Sequence, residues 1–249
     1  MVNALIYAVL GVLQGIFEWI PVSSEGVVAL AAKFLKAGFN PVDLALFLHI
    51  GTLASALVYY RKDWAGVFTF KDRKLIIFLM ITTVVSLPLG FVFYKLIEQA
   101  AVGTGLLALT GFGLLFTAYF QKKKILLDIR EEKLAAIAGV LQGLAVIPGF
   151  SRSGSTIFGL SLAKSDPKEI LRLSYLMSVP AVAASTLYFL VFKGGDFSIQ
   201  LWPGVLASFL SGLLFLDVLT KMAERINFAK FAFVFAAFCF AGVALELLF

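Results

Sequence analysis

The pentapeptide Gly-Val-Leu-Gln-Gly occurs twice in this chain, at residues 11–15 and again at residues 139–143. Each copy leads through a proline, Pro21 or Pro148, into a segment rich in serine and glycine. Both segments interrupt strongly apolar sequence, and inside a bilayer irregular backbone is tolerated only where protein or water surrounds it. The repeat therefore indicates an internal duplication, and the two breaks are where we expect a functional site.

The composition is that of an integral membrane protein. Hydrophobic residues make up 61% of the 249 residues and charged residues 14%, whereas soluble domains contain roughly 45–50% and about 25%. Several apolar runs approach the roughly 20 residues that a helix needs to cross the hydrocarbon, and they lack the alternation of a transmembrane barrel. The single cysteine excludes an intramolecular disulfide. We therefore predict an all-α polytopic membrane protein.

The distribution of charge predicts the topology. Two apolar segments are broken, at about 4–35 with an interruption at 21–26 and at about 134–163 with an interruption at 148–155. Six are continuous, at about 43–60, 75–97, 103–120, 173–192, 201–220 and 228–248. Most lysines and arginines fall in four connectors, which the positive-inside rule assigns to the cytoplasm: 61–74, 121–133, 164–172 and 221–230. The net charge of +6 is therefore attributed to topology, and no nucleic-acid partner is expected.

Successive connectors then lie on alternating sides of the membrane without conflict, if each broken segment is a re-entrant hairpin and each continuous segment is a transmembrane span. The chain is then an inverted repeat, in which each half is a re-entrant helical hairpin followed by three transmembrane helices. The halves are about 1–120 and 134–249, the basic connector 121–133 joins them, and together they form a single membrane domain over residues 1–249. Many transporters have this architecture, but it does not decide function.

The two breaks contain the groups expected of a phosphate site. Gln14 and Glu18 are four residues apart and would share a helix face, and Arg152 offers a planar fork that matches phosphate oxygens. Helix restarts add free N–H groups that favour anions. Small and polar residues surround them: Ser23, Ser24, Glu25 and Gly26 in the first break, and Ser151, Ser153, Gly154 and Ser155 in the second. The alternative is structural, with small residues packing helices and Arg152 pairing with Glu18. Charges inside a membrane are usually functional, which favours the site.

The same residues carry a resemblance to a known family. The segment from Gln14 to Gly26 resembles the first signature of the undecaprenyl-diphosphate phosphatases, also called bacitracin-resistance proteins, and the segment from Pro148 to Gly154 resembles their second. The likeness extends through residues 48–54 and 172–181, and so covers essentially the whole chain. The family's fold, an inverted repeat with two re-entrant hairpins, agrees with the topology that the charges predict.

The resemblance implies an enzyme of the cell membrane. It would hydrolyse a polyprenyl diphosphate to the monophosphate and inorganic phosphate at the outer face, so that the lipid carrier is recycled for cell-envelope synthesis. Carried over by position, the catalytic residues would be Glu18, Ser24 and Arg152, with Ser24 as nucleophile or phosphate ligand. A divalent cation, Mg²⁺ or Ca²⁺, would bind Glu18 with Gln14 or Glu25. The other polar and glycine residues named in the two breaks would bind the phosphates.

Two positions depart from the family pattern. Gln14 stands where the family usually has a glutamate, and Val27 stands where it usually has a histidine, which removes the obvious general base. We hypothesise that Glu25 restores the missing carboxylate. The only histidine, His49, lies in an apolar span beside Gly51 and cannot be aligned with the missing one. We expect a hydrogen-bonded structural role for it, and a part in the site is the alternative, because ionisable residues inside a membrane are often functional.

An alternative function is kept open by these departures. It is a non-enzymatic polyprenyl-phosphate transporter or flippase that uses the same phosphate site without hydrolysis. The expected partners are the membrane and a long-chain polyprenyl diphosphate, and a homodimer is left open. The sequence also leaves open whether Ser24 or an activated water is the nucleophile.

Overall fold

The computed structural model confirms that the chain is a helical membrane protein. It describes residues 2–21, 24–39, 41–97, 112, 115, 119, 126–146, 151–164, 166–192, 199–223, 230, 233–234, 236–237 and 240–244. Within these residues all regular secondary structure is helical. The helices are α1 (Val2–Phe17), α2 (Ser24–Phe34), α3 (Pro41–Tyr59), α4 (Arg61–Phe68), α5 (Arg73–Ile97), α6 (Glu131–Leu144), α7 (Arg152–Ser161), α8 (Pro167–Phe192) and α9 (Trp202–Met222), with a 3₁₀ turn at Ile199–Leu201.

Three of these helices are long and apolar enough to cross a membrane. The spanning stretches are Arg73–Lys95 in α5, Pro167–Phe189 in α8, and Ile199–Met222, which comprises the 3₁₀ turn and α9. They coincide with the spans predicted at 75–97, 173–192 and 201–220. A multi-pass membrane protein follows from these helices. The spans predicted at 103–120 and 228–248 lie largely outside the described residues.

The span predicted at 43–60 is followed by a helix that the sequence analysis missed. α3 ends at Tyr59, and α4 begins at Arg61 with the chain bent by 79°. The prediction placed this stretch in a polar connector because Arg61, Lys62 and Asp63 interrupt the apolar pattern. The eight-residue helix nevertheless forms and buries Trp64.

Both predicted breaks exist, but they lie a few residues before their predicted positions. The first separates Phe17 from Ser24 rather than spanning 21–26, and the second separates Leu144 from Arg152 rather than spanning 148–155. The helix after the second break, α7, begins early because Ser151 Oγ accepts a hydrogen bond from Gly154 N at 3.2 Å, as an N-capping serine does. Glu25 and Ser155 consequently lie in first turns of helices instead of in the breaks.

The chain divides into two compact units. The first comprises Met1–Ile20, Ser24–Asp72 and Ser178–Leu219, and so contains α1 to α4, the end of α8 and most of α9. The second comprises Pro21–Ser23, Arg73–Met177 and Thr220–Phe249, and so contains α5 to α7 and the start of α8. The two units do not coincide with the two sequence halves. α5 belongs to the first half but lies in the second unit, and most of α9 belongs to the second half but lies in the first unit.

In the first unit, the first copy of the repeated pentapeptide packs α1 against α9. A Cβ at Gly11 would overlap the carbonyl oxygen of Gly204, and a Cβ at Gly15 would lie 2.6 Å from Gly212 N. The backbones therefore approach more closely than any side chain would permit. The neighbouring core contains the buried residues Tyr7, Leu10, Val28, Ala32, Leu44, Ala45, Phe47, Leu48, Leu201 and Val205.

In the second unit, the second copy packs α6 against α5 in the same way. A Cβ at Gly139 would lie 2.9 Å from the carbonyl oxygen of Thr82, and one at Gly143 would lie 3.0 Å from that of Ser86. Each copy thus packs the first helix of its half against a long helix supplied by the other half. This shared packing role explains why both glycines of the pentapeptide occur in both copies.

Candidate active site

The first cluster of polar residues converges on one carboxylate oxygen, Oε2 of Glu18. Gln14 Nε2 donates to it at 3.0 Å and Ser24 Oγ at 2.7 Å, while His49 Nε2 lies 3.2 Å away. All four side chains are buried. The structure therefore brings together three residues singled out from the sequence, Gln14, Glu18 and Ser24, and adds His49.

Local backbone structure positions three members of this cluster. Glu18 directly follows α1, and its N–H still donates to Gln14 O at 3.0 Å, so the helical path continues by one residue. The spacing of four residues therefore places Gln14 beside Glu18, as the sequence predicted. After the break, Ser24 is the first residue of α2, where it turns its hydroxyl back to Glu18.

The fourth member, His49, comes from α3 and is held at both ring nitrogens. Its Nδ1 lies 2.7 Å from the carbonyl oxygen of Ala45, one helical turn earlier. A carbonyl oxygen only accepts, so Nδ1 carries a proton and donates. Close packing next to it fixes the helix, because a Cβ at Gly51 would lie 2.7 Å from Ser208 Cβ on α9. The expected structural hydrogen bond exists, and the contact with Glu18 was missed.

Glu25 and Gly26 lie at the edge of the first break, exposed in the first turn of α2, and Ser23 lies outside the described residues. The charges of Glu18 and His49 both act on Glu25. The hypothesis that Glu25 replaces a missing carboxylate stays a prediction.

The second cluster surrounds the N-terminus of α7. Ser151 caps this helix, and its Oγ lies 3.1 Å from Ser153 Oγ, both side chains being buried. Ser155 N donates to Ser151 O at 2.9 Å, and its side chain is half-buried. A Cβ at Gly154 would lie 3.2 Å from Pro21 Cβ, so only glycine fits without a shift. Hydroxyls and amide N–H groups at a helix N-terminus form a typical environment for an anion.

The guanidinium of this cluster belongs to Arg152, the first residue of α7. Arg152 is half-buried, and its Nη1 donates to the carbonyl oxygen of Ser174 on α8 at 3.4 Å. Thr156 ties the two helices together, with its Oγ1 2.6 Å from Ser174 Oγ and 2.9 Å from Arg152 O. The sequence analysis did not single out Ser174, and its only signal was its place in the family-like segment 172–181.

One atom of the first cluster fits a cation. Oε1 of Gln14 is buried, and within the described residues it has no hydrogen-bond partner. It is a hard amide oxygen next to a carboxylate, which is the ligand type that Mg²⁺ and Ca²⁺ prefer. The described residues contain no group of three His, Cys, Asp or Glu side chains that could hold a metal by themselves. Mg²⁺ commonly binds through one or two protein ligands together with substrate phosphates, so this pair is compatible with such a site.

The fold and these clusters define a class of protein: a multi-pass helical membrane protein with clusters of polar side chains beside two helix breaks. Residues 7–241 match the family model described as bacitracin resistance protein BacA, and the chain belongs to this family.

Curated relatives match over nearly the full length. A protein of Haloarcula marismortui named undecaprenyl-diphosphatase is 36% identical, covering 96% of this chain and 96% of its own. Proteins with the same name from Methanococcoides burtonii and Aquifex aeolicus are 32% and 34% identical, covering 90% and 89% of this chain and 92% and 88% of their own.

Proposed function

We propose that this protein is a membrane phosphatase that hydrolyses a long-chain, undecaprenyl-type polyprenyl diphosphate to the monophosphate and inorganic phosphate. The observation that carries the proposal is the 2.7 Å hydrogen bond from Ser24 Oγ to the buried carboxylate of Glu18. A hydroxyl bonded to a carboxylate is the arrangement of a nucleophile and its base. It occurs in a chain of the BacA family, whose relatives named above are undecaprenyl-diphosphatases.

In the proposed reaction, Ser24 attacks the terminal phosphorus. Its proton passes to Glu18 Oε2 while the Ser24 Oγ–P bond forms and the bond from phosphorus to the bridging oxygen breaks. The polyprenyl monophosphate leaves with the electron pair of that bond. Water then attacks the phosphoserine, which releases inorganic phosphate, and the Ser24 oxygen regains a proton. The buried position of Glu18 excludes bulk water from the proton that it accepts.

The second cluster is proposed to bind the phosphates. Arg152 would contact non-bridging oxygens through its planar fork, and Ser151, Ser153 and the N–H groups of the first turn of α7 would donate to the rest. Such donors stabilise the charge that is spread over these oxygens in the transition state of phosphoryl transfer. Gly154 and Ser155 would shape the same cradle.

A divalent cation is proposed to bind between the protein and the diphosphate. Glu18 and Oε1 of Gln14 would hold it, with Glu25 as a further candidate ligand. When bound, Mg²⁺ or Ca²⁺ would neutralise charge on the diphosphate. If Glu25→Gln left both hydrolysis and its metal dependence unchanged, the role of Glu25 would have to be abandoned.

The lipid part of the substrate is proposed to lie against apolar side chains beside the first cluster. Glu18 lies beside the apolar side chains of Leu53, Ala56, Val179 and Val182, which pack too closely to leave an open cavity between them. An isoprenyl chain is chemically matched to such side chains. We propose the plasma membrane as location, with the site open to the outer face as the positive-inside rule indicates. Every residue in this scheme comes from one chain, so the proposal does not require the homodimer.

The experiment that tests this function measures both products with the purified protein in detergent. A C55 polyprenyl diphosphate should give inorganic phosphate and polyprenyl monophosphate in equal amounts when Mg²⁺ or Ca²⁺ is present. The transport alternative, which none of the comparisons supports, predicts binding without phosphate release. A clean, folded preparation that releases no phosphate with either cation would contradict the proposal.

A further inference from the structure

The contact between His49 and Glu18 involves one particular nitrogen of the imidazole ring. Because Nδ1 donates to Ala45 O, Nε2 is the nitrogen that faces Glu18 Oε2, at 3.2 Å. His49 Nε2 therefore contacts the same carboxylate oxygen that Gln14 and Ser24 contact.

The position of His49 makes it suited to holding this carboxylate. The residue is 7% exposed, and the Ala45 hydrogen bond fixes the orientation of its ring within α3. Ser208 on α9 donates to Leu48 O at 3.0 Å, directly before His49, so the backbone that carries the ring is also anchored. A rigid contact of this kind limits the rotation of the Glu18 carboxylate.

We propose that His49 is a positioning residue of the phosphatase, which orients the Glu18 carboxylate to accept the proton of Ser24 Oγ. His49 approaches from α3, whereas the family's usual histidine position, Val27, lies on α2. The assignment rests on the proposed function, because a positioning role needs a reaction to support.

The structure also separates this role from a purely structural one. A structural histidine would need only the hydrogen bond to Ala45 O, which stays within α3. The second ring nitrogen instead points at the one oxygen on which Gln14 and Ser24 converge. Loss of His49 should therefore act on the rate of the chemical step more than on substrate binding or folding.

The first test compares steady-state kinetics of the full-length protein in detergent micelles. His49→Phe removes both ring nitrogens and should lower kcat about 100-fold with KM little changed, in the range of a lost acid–base interaction. His49→Gln keeps a side-chain amide within reach of Glu18 and should recover most of that loss, with kcat within about 10-fold of the wild type. The matched control is Ser208→Ala, which loosens the same stretch of α3 without touching Glu18 and should lower kcat far less than His49→Phe does. If His49→Phe kept the wild-type kcat, or fell no further than Ser208→Ala, the assignment would be overturned.

The second test does not depend on turnover and so separates this inference from the proposed function. Thermal midpoints are measured for Glu18→Gln, His49→Phe and the double variant. The direct contact predicts that the two decreases do not add, because neighbouring groups couple. Additive decreases would overturn the assignment even if the protein proved to be a phosphatase. A wild type without phosphatase activity but with non-additive decreases would contradict the proposed function and leave the contact established.

Discussion

Ser24 Oγ donates a hydrogen bond of 2.7 Å to Oε2 of Glu18, across the break between α1 and α2. The two residues are six positions apart and lie outside a common helix, so the contact depends on the turn between them. The break in the apolar segment thus brings the Ser24 hydroxyl and the Glu18 carboxylate together as a buried pair. The chemistry of the protein is proposed to start at this pair.

Removing the hydroxyl tests whether Ser24 is the nucleophile. Ser24→Ala should lower kcat by at least about 1,000-fold, because the group that forms the bond to phosphorus is lost. Phosphate release is the measurement, and acid-quenched wild-type enzyme should contain a phosphoserine that the variant lacks. Ser185→Ala is the control, since Ser185 is an exposed serine whose hydroxyl donates to Val182 O within its own helix turn at 3.0 Å. A Ser24→Ala protein with wild-type kcat would show that water attacks directly.

The planar guanidinium of Arg152 should contribute more to kcat/KM than its positive charge alone. Arg152→Lys keeps one positive charge but loses the planar pair of donors, so kcat/KM should fall about 10- to 100-fold, the worth of one to two charge-assisted hydrogen bonds. Arg172→Lys is the matched control in the same unit, because Arg172 pairs with Glu169 at 3.0 Å and has no assigned part in the site. Equal effects of the two substitutions would mean that Arg152 is structural.

The close helix contact in the first unit predicts an order of stability. Gly11→Ala places a Cβ onto the backbone of Gly204, so α1 and α9 must separate, and overpacking of this kind costs about 1–3 kcal/mol. Gly66→Ala is the control, because the nearest atom to its new Cβ is 3.5 Å away and alanine favours helix. The thermal midpoint in detergent should fall by several degrees for Gly11→Ala and stay level or rise for Gly66→Ala. The reverse order would contradict the packing described for α1.

The two repeated glutamines allow the cation site to be tested against an internal control. Gln14 and Gln142 are both buried, and in the described part of the chain each has an unpaired Oε1. Gln142 donates instead to Ser86 Oγ and Met177 O in the second unit, at 3.1 and 3.2 Å. Gln14→Leu should therefore abolish any stabilisation of the protein by Ca²⁺ or Mg²⁺, measured as a thermal shift, whereas Gln142→Leu should leave that shift intact. Equal shifts in both variants would remove Gln14 from the cation site.

The sequence predicted those parts of the site that depend on local structure. Gln14 and Glu18 are one helical turn apart, and Ser24 follows a proline-induced break, so their proximity needed no knowledge of tertiary packing. Ser151 and Arg152 were predicted for the same reason, as residues at a helix restart.

Contacts between helices could not be predicted in this way. His49 reaches Glu18 only because α3 packs beside α1, and a lone histidine in an apolar span does not reveal its neighbour. Ser174 contacts Arg152 and Thr156 through the packing of α8 on α7. The placement of α5 in the second unit and of α9 in the first is likewise a tertiary feature. The pentapeptide glycines do not identify the helix against which they pack.

The central claim is that Ser24 and Glu18 act together in the hydrolysis of a polyprenyl diphosphate, and a double-mutant cycle on kcat/KM tests it most directly. Ser24→Ala and Glu18→Gln should each lower phosphate release from the C55 diphosphate by at least about 100-fold. Because residues that serve one transition state are non-additive, the double variant should be within about 10-fold of the worse single variant. Losses that multiply, or wild-type activity in either single variant, would contradict the paired roles of Ser24 and Glu18.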